Sequence, residues 1–397
     1  MSIDVTGRPA PATDAFYNDP KVRSFAYQIA LGVLVAVLVY GAVTNAIEHL
    51  ERAHIASGFG FWDQAAGFDI SQTLIFYSSQ VSTYGRAFWV GLLNTLLVAG
   101  IGIVLATVLG FVVGISRLSK NWLLAKTAGG YVEIIRNIPL LLQLLFWYNA
   151  VLKALPEMRD SIVIARGAYL NNRGLFLPQP VFLHGFGVVI AAAAVAVAAA
   201  VVFTLAARRR QKHTGKRLPV AAVVLALLIG LPLVAFVLKG LPLTFNYPEV
   251  GRFNIAGGVE VLPEFAALLF GLSIYTAAFI AEVVRAGILA VSRGQIEAAY
   301  SLGLRPRPTL RLIVVPQAMR VIIPPLTSQY LNLTKNSTLA VAIGYPDLVQ
   351  VFTGTVLNQT GQAVEVVAIT MLVYLTISLV TSLLMNIYNR RVALVER

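Results

Sequence analysis

Long apolar runs alternate along this chain with short polar and basic segments, and the runs are of membrane-crossing length. A helix that spans a bilayer needs about 20 mostly apolar residues. Eight stretches meet that need, near residues 24–46, 88–115, 136–155, 185–207, 218–238, 264–284, 320–343 and 365–388. The stretches from Ala87 to Ser116 and from Val366 to Asn389 carry no charge at all and could cross even when tilted. The third run is bracketed by Arg136 and Lys153, and the seventh contains Lys335. The pattern predicts an all-α polytopic membrane protein with about eight transmembrane helices.

Composition agrees with the pattern. Of the 397 residues, 57% are hydrophobic and 12% charged, against about 25% charged in a soluble domain. The net charge of +13 does not signal nucleic acid, because a nucleic-acid binder gathers its basic residues on a solvated face. Here they cluster between apolar runs, as orientation in a bilayer requires. Arg117, Lys120 and Lys126 follow the second run, and Arg208, Arg209, Arg210, Lys212, Lys216 and Arg217 follow the fourth. Arg285, Arg293, Arg305, Arg307 and Arg311 follow the sixth, and Arg390 and Arg391 the eighth. These loops are expected in the cytoplasm, and both termini with them. One loop dissents: residues 153–184 should be external, yet Lys153, Arg159, Arg166 and Arg173 outnumber Glu157 and Asp160. Removing the third span would break the agreement at every later loop, so the eight-span reading stands.

The external loop after the first span holds Phe59, Phe61, Trp62, Phe68, Phe76 and Tyr77. Aromatic rings favour the headgroup region, so this loop is expected to lie along the membrane surface. The fourth span is dominated by Ala from Ala191 to Ala200, and small side chains let helices approach closely in lipid. Gly110 and Gly114 could do the same in the second span, or simply face lipid.

Several chemistries are excluded. Without cysteine there is no disulfide or thiolate, and His49, His54, His184 and His213 show no i, i+4 pairing of the kind that holds a metal. The polar, Pro-containing first 20 residues do not read as a cleavable signal peptide. The phosphate-cradling pattern G-x-x-x-x-G-K-[ST] is missing, since Gly215-Lys216 has no upstream Gly at the right spacing. No cofactor is expected in this chain.

The most informative segment is the cytoplasmic loop after the sixth span, AGILAVSRGQIEAAYSLGLRPRPTLRLIVVPQA. Ser292 with Gln295 three residues on fits a capping box, and Gly303 supplies a left-handed stop ahead of Pro306 and Pro308. A helix of about 10 residues, roughly 15 Å long, is predicted over 293–303. Too short and polar to cross, it should lie on the cytoplasmic face. Glu297 would expose a carboxylate, while Ala298 and Ala299 would let another protein approach closely.

As a pattern the loop reads Glu297-Ala298-Ala299, three residues, Gly303, nine residues, Ile313, two residues, Pro316. It resembles the EAA loop of permease subunits of binding-protein-dependent ABC importers, with Val315 where that family usually has Leu. The stretches GLLNTLL (91–97), YVEIIRNIPLLLQLLFWY (131–148), YTAAFIAEVVRAGIL (275–289) and NLTKNSTLAVAIGYPDL (332–348) resemble the polar amino-acid group of the family, and the extra first span most resembles permeases of general L-amino-acid importers. The resemblance implies a type I ABC importer transmembrane fold over residues 88–390, with 1–87 as an N-terminal tail, first span and external loop, and 391–397 as a cytoplasmic tail. It implies a bacterial inner-membrane location and a coupling helix, carried by Glu297, Ala298, Ala299, Gly303 and Pro316, that docks on a separate ATPase. That ATPase, in two copies, would bind ATP and Mg. A second homologous permease, an external solute-binding protein and an amino-acid substrate complete the implied partners.

Ionisable residues inside spans are costly and point to function. Glu133, Arg136, Glu282 and Lys335 are the candidates. Lys335, with Asn332, Asn336, Ser337 and Thr338 beside it, could meet a substrate carboxylate, mark a gate, or snorkel to the interface. Glu282 and Arg285 are expected to brace the coupling loop. Two other function classes make different demands of the sequence. An ion-coupled secondary transporter should show repeats with broken helices at the midplane and run without ATP. A membrane-embedded enzyme needs a catalytic cluster near one interface, and none is visible.

Overall fold

The computed structural model describes residues 20–52, 58–215, 218–251 and 254–392. The polar N-terminal segment, His54, Lys216, Arg217 and the end of the 391–397 tail lie outside them. The helices are α1 (Pro20–Arg52), α2 (Tyr84–Ser116), α3 (Trp122–Asn137), α4 (Leu140–Leu145), α5 (Phe186–Thr214), α6 (Val220–Leu238) and α7 (Pro263–Leu289). They continue with α8 (Arg293–Ser301), α9 (Pro306–Thr309), α10 (Val315–Asn336), α11 (Leu357–Thr360) and α12 (Ala363–Val392). Seven described helical stretches are long and apolar enough to cross a membrane, and the count reaches the expected eight when the bent pair Trp122–Asn137 and Leu140–Leu152 is taken as one broken span.

The third span departs from the continuous run expected over 136–155. It starts earlier, at Trp122, and bends by 104° between Asn137 and Leu140. Pro139 causes the break: it disfavours helical backbone in the residue before it, and Ile138 is extended at φ −98°, ψ 127°. A break frees carbonyls that lipid cannot satisfy. Gln143 answers them, its amide donating to the carbonyls of Ile135 and Ile138, both at 2.9 Å.

Outside the spans lies a small β-module that the helical pattern did not predict. Its strands are β1 (Ile162–Ala165), β2 (Ala168–Asn171), β3 (Gly174–Leu177), β4 (Gln179–Phe182), β5 (Leu243–Asn246), β6 (Glu249–Val250), β7 (Ile255–Ala256) and β8 (Val259–Val261). β3 pairs with β8 and β4 with β5, both antiparallel. Strands preceding α5 therefore pair with strands following α6. The two segments must lie on one side of the membrane, so α5 and α6 leave and return as a hairpin. Of the dissenting basic residues, Arg159, Arg166 and Arg173 belong to this folded unit, while Lys153 caps the helical end of the third span over the Tyr148 ring, and the positive-inside count applies to short loops rather than domains.

The core sits between α2, α7 and α10, around Val98, Leu144, Leu272, Ile280, Ile322 and Leu333. Glycines set the closest approach. A Cβ on Gly110 would lie 2.6 Å from Cβ of Ile280, and one on Gly114 2.7 Å from the carbonyl oxygen of Ala281. Gly110 and Gly114 thus face α7 and not lipid. Gly110→Ala or Gly114→Ala should destabilise the fold by about 1–3 kcal/mol through overpacking. Gly129→Ala on α3, where nothing lies within 4 Å, should be neutral or stabilising. Thermal unfolding in detergent separates the two outcomes, and equal midpoints would overturn the assignment of this contact.

The aromatic loop divides into a buried part and an exposed part. Phe61 is 2% exposed and packs with Trp62, Tyr84, Phe88 and Phe352. These rings pack one end of α2 against the helical segment Val349–Val356. Phe59 and Phe76 remain exposed.

Candidate functional site

The helix expected over 293–303 is present as α8, Arg293–Ser301. Its start is simpler than a capping box. The Ser292 side chain makes no cap bond; only its carbonyl accepts, from the Gln295 N–H at 3.1 Å. The stop is as the sequence suggests and more fully bonded. Gly303 has φ +74°, its N–H donates to the Tyr300 carbonyl at 2.9 Å, and the Leu304 N–H donates to the Ala299 carbonyl at 3.1 Å. These two bonds form a Schellman motif, which satisfies carbonyls that a helix end leaves open.

The capped helix sorts its residues onto two faces. Glu297, Ala298 and Gly303 are exposed, as is Pro316 beyond them. Ala299 turns the other way: it is 1% exposed, so its small side chain serves packing against the protein's own bundle and not approach by another surface. Leu302, 82% exposed, and Tyr300, 50% exposed, add apolar area beside the Glu297 carboxylate. An acidic group on a small, partly apolar, rigidly capped ledge has the chemistry to receive another protein's surface, and the ledge carries no reactive group.

Glu282 and Arg285 do not reach α8. Glu282 instead accepts from Arg285 at 2.6 Å and from Arg117, the residue that ends α2. The triad ties the neighbouring ends of α2 and α7, from which the α8 segment departs. Arg136 lies 5.0 Å from the centre of the Phe279 ring, a cation–π contact that shields its charge.

On α10, Asn332 and Lys335 are exposed and three residues apart, hence on one face. Asn336 is half-buried. The Thr338 hydroxyl donates to the Lys335 carbonyl at 2.8 Å, so it serves the helix end, where the backbone tightens over Ser337–Ile343 and stops at Gly344, φ +77°. Lys335 makes no ion pair among the described residues.

A buried polar clasp follows, which sequence reasoning did not single out. The Asn94 amide donates to the carbonyls of Gln72 and Pro346, both at 2.9 Å. Thr95 accepts from the Leu348 N–H at 3.0 Å, and Gly91 lets Leu348 lie against α2, since a Cβ there would come 3.0 Å from Leu348 Cα. Asp347 is fully buried, accepting from the Gln350 N–H at 2.8 Å and from the Tyr374 hydroxyl at 3.3 Å. Asp347 lies in the turn between spans, and burial pushes its carboxyl above the usual carboxylate range. The signal lies in the sequence: the stretches GLLNTLL and NLTKNSTLAVAIGYPDL meet here. The clasp fixes the turn that follows Lys335.

Comparison with known proteins fits this geometry. Residues 218–394 match the family described as binding-protein-dependent transport system inner membrane component. The chain is 53% identical to the general L-amino acid transport system permease protein AapQ of Rhizobium johnstonii, over 96% of this chain and 94% of that one. It is 43% identical to the glutamate/glutamine/aspartate/asparagine transport system permease protein BztB of Rhodobacter capsulatus, over 96% of each.

Proposed function

The chain belongs to the permease subunits of binding-protein-dependent ABC importers, and from that premise we propose that α8 is the contact through which ATP hydrolysis is coupled to passage of an amino acid along the Lys335 face of α10. The protein is a multi-pass permease of the bacterial inner membrane with the type I fold, in an amino-acid importer whose ATP hydrolysis resides in a separate subunit. Such a system includes an ATPase and a binding protein.

The observation that carries the coupling reading is the Schellman-capped α8, which presents Glu297 and Ala298 outward. A rigid ledge transmits displacement, and a partner that prefers one arrangement of the bundle biases its equilibrium. Residues Glu297, Ala298 and Gly303 make the ledge; Ala299 anchors it from behind, and Pro316 lies where the chain re-enters the bundle. Two ATPase copies fit a pair of permeases. The exposure of Asn332 and Lys335 supports a second, homologous permease in this reading: an ammonium within a span is costly against lipid, and a facing subunit with a wet path between would relieve it. The amino acid would then pass between the two permeases, with residues 88–390 forming the transmembrane domain.

The test is reconstitution. The co-purified complex should contain an ATPase and a second permease, and proteoliposomes should take up amino acids only with external binding protein and internal ATP. Uptake that persists without ATP and follows an ion gradient would instead establish a secondary transporter.

A further inference from the structure

The hairpin α5–α6 stands apart in character from the rest of the bundle. Its buried α5 residues are Ala196, Ala200 and Ala207, and α6 buries none. Between the two helices runs an apolar groove of about 350 Å³, lined by Val197, Val201 and Thr204 of α5 and by Val224 and Leu228 of α6. The Thr204 hydroxyl donates to the Ala200 carbonyl at 2.7 Å, so it asks nothing polar of an occupant. The groove ends at Leu205 and Arg208, and these same two residues open a second hollow of about 620 Å³ with Arg209, Gln211 and Lys212.

Three observations converge on one kind of occupant. Val197 to Arg208 spans about 16 Å at 1.5 Å per residue, close to the roughly 15 Å hydrocarbon depth of one leaflet. The groove therefore reaches from near the bilayer centre to one headgroup layer. That layer is the cytoplasmic one, since the hairpin returns to the side of the β-module and its tip is the basic loop. From Gly185 to Leu238 the sequence contains no Asp or Glu, and none of Arg208, Arg209, Arg210 and Lys212 forms an ion pair among the described residues. The cations thus face the headgroups without an internal counter-ion, directly above an apolar slot.

We propose that the α5–α6 hairpin holds an anionic phospholipid of the inner leaflet, its acyl chain in the Val197–Leu205 groove and its phosphate on Arg208, Arg209 and Lys212. Guanidinium pairs with phosphate in two-point geometry, and basic clusters immediately cytoplasmic of a span are suited to acidic headgroups. A free phosphate would satisfy the arginines but leave the groove empty. A zwitterionic lipid such as phosphatidylcholine would fill the groove and offer a phosphate, but its choline cation would leave the net positive charge of Arg208, Arg209 and Lys212 uncompensated.

The test is native mass spectrometry of the assembled transporter, delipidated in mild detergent and supplied with phosphatidylglycerol, phosphatidylcholine or inorganic phosphate. Phosphatidylglycerol should be retained and phosphatidylcholine not, and excess phosphate should fail to displace the bound lipid. The triple variant Arg208→Gln, Arg209→Gln, Lys212→Gln should lower retention about ten-fold or more, and so should Val201→Trp, which fills the groove and keeps the charges. Equal retention by both variants overturns the site, as does displacement by phosphate alone. Cross-linking of Val201→Cys to a second protein chain in the native membrane would also overturn it, by showing that protein occupies the groove.

Discussion

Glu297→Lys and Gly303→Val are each expected to reduce ATP-driven uptake by about ten-fold or more, because they disturb a partner contact that leaves the rest of the fold untouched. Glu297 is exposed and makes no side-chain bond among the described residues, so charge reversal changes what docks and not what folds. A lost contact of a charged group costs about 1.5–3 kcal/mol, or roughly 10- to 100-fold in association. Gly303 acts through the backbone. Nothing lies within 4 Å of a Cβ built there, so there is no clash, but φ is +74° and a β-branched residue is strained in that region by about 1 kcal/mol or more. The Schellman bonds from Gly303 and Leu304 should open, and the ledge should lose its fixed end. Gly303→Asn, which tolerates the left-handed region, should recover most of the uptake. Pull-down of the ATPase and substrate uptake are read together, with thermal unfolding as the control. Unimpaired association and uptake in both Glu297→Lys and Gly303→Val, at normal stability, would refute the coupling assignment.

The spans and the α8 helix were legible in the sequence because lipid imposes length and backbone satisfaction on every crossing. Gly303 was legible as well, since a left-handed stop before Pro306 has few other meanings. What escaped depended on tertiary pairing. Pro139 lay in plain view within an apolar run, yet its 104° bend is sustained by Gln143 reaching back to two carbonyls, a bond that no periodicity announces. The β-module is built from strands of two to four residues, too short for alternation to register, and its pairing joins segments separated by the whole α5–α6 hairpin. Ala298 and Ala299 read alike as small residues, but one faces out and the other is buried, because neighbours on a helix are about 100° apart. Glu282 does pair with Arg285, but its second partner, Arg117, comes from α2 and was not legible from the loop alone.

Lys335→Met is expected to depress uptake of every amino-acid substrate by a similar factor, about ten-fold or more, while leaving assembly with the ATPase intact. The ammonium sits on the exposed face of α10 with Asn332, and no carboxylate pairs with it among the described residues. A charge inside a span needs an anion or water. The feature common to all amino acids is the α-carboxylate, so a lysine facing the path would meet every substrate through the same group and would discriminate little between side chains. Thr338 contributes to the geometry by closing the helix end on the Lys335 carbonyl, and the Asn94–Asp347 clasp fixes the turn beyond it. Methionine keeps the apolar stem and removes the charge, at a cost of about 1.5–3 kcal/mol for a charged hydrogen bond, or roughly 10- to 100-fold. Arginine keeps the charge with a planar, forked geometry, so Lys335→Arg should retain part of the uptake. The measurement is initial uptake of acidic, neutral and basic amino acids by reconstituted transporter, beside ATPase activity stimulated by the binding protein. Loss confined to acidic substrates would point to a specificity contact instead of a common one, loss of assembly would assign Lys335 to packing, and unchanged uptake of all substrates would remove the charge from the mechanism.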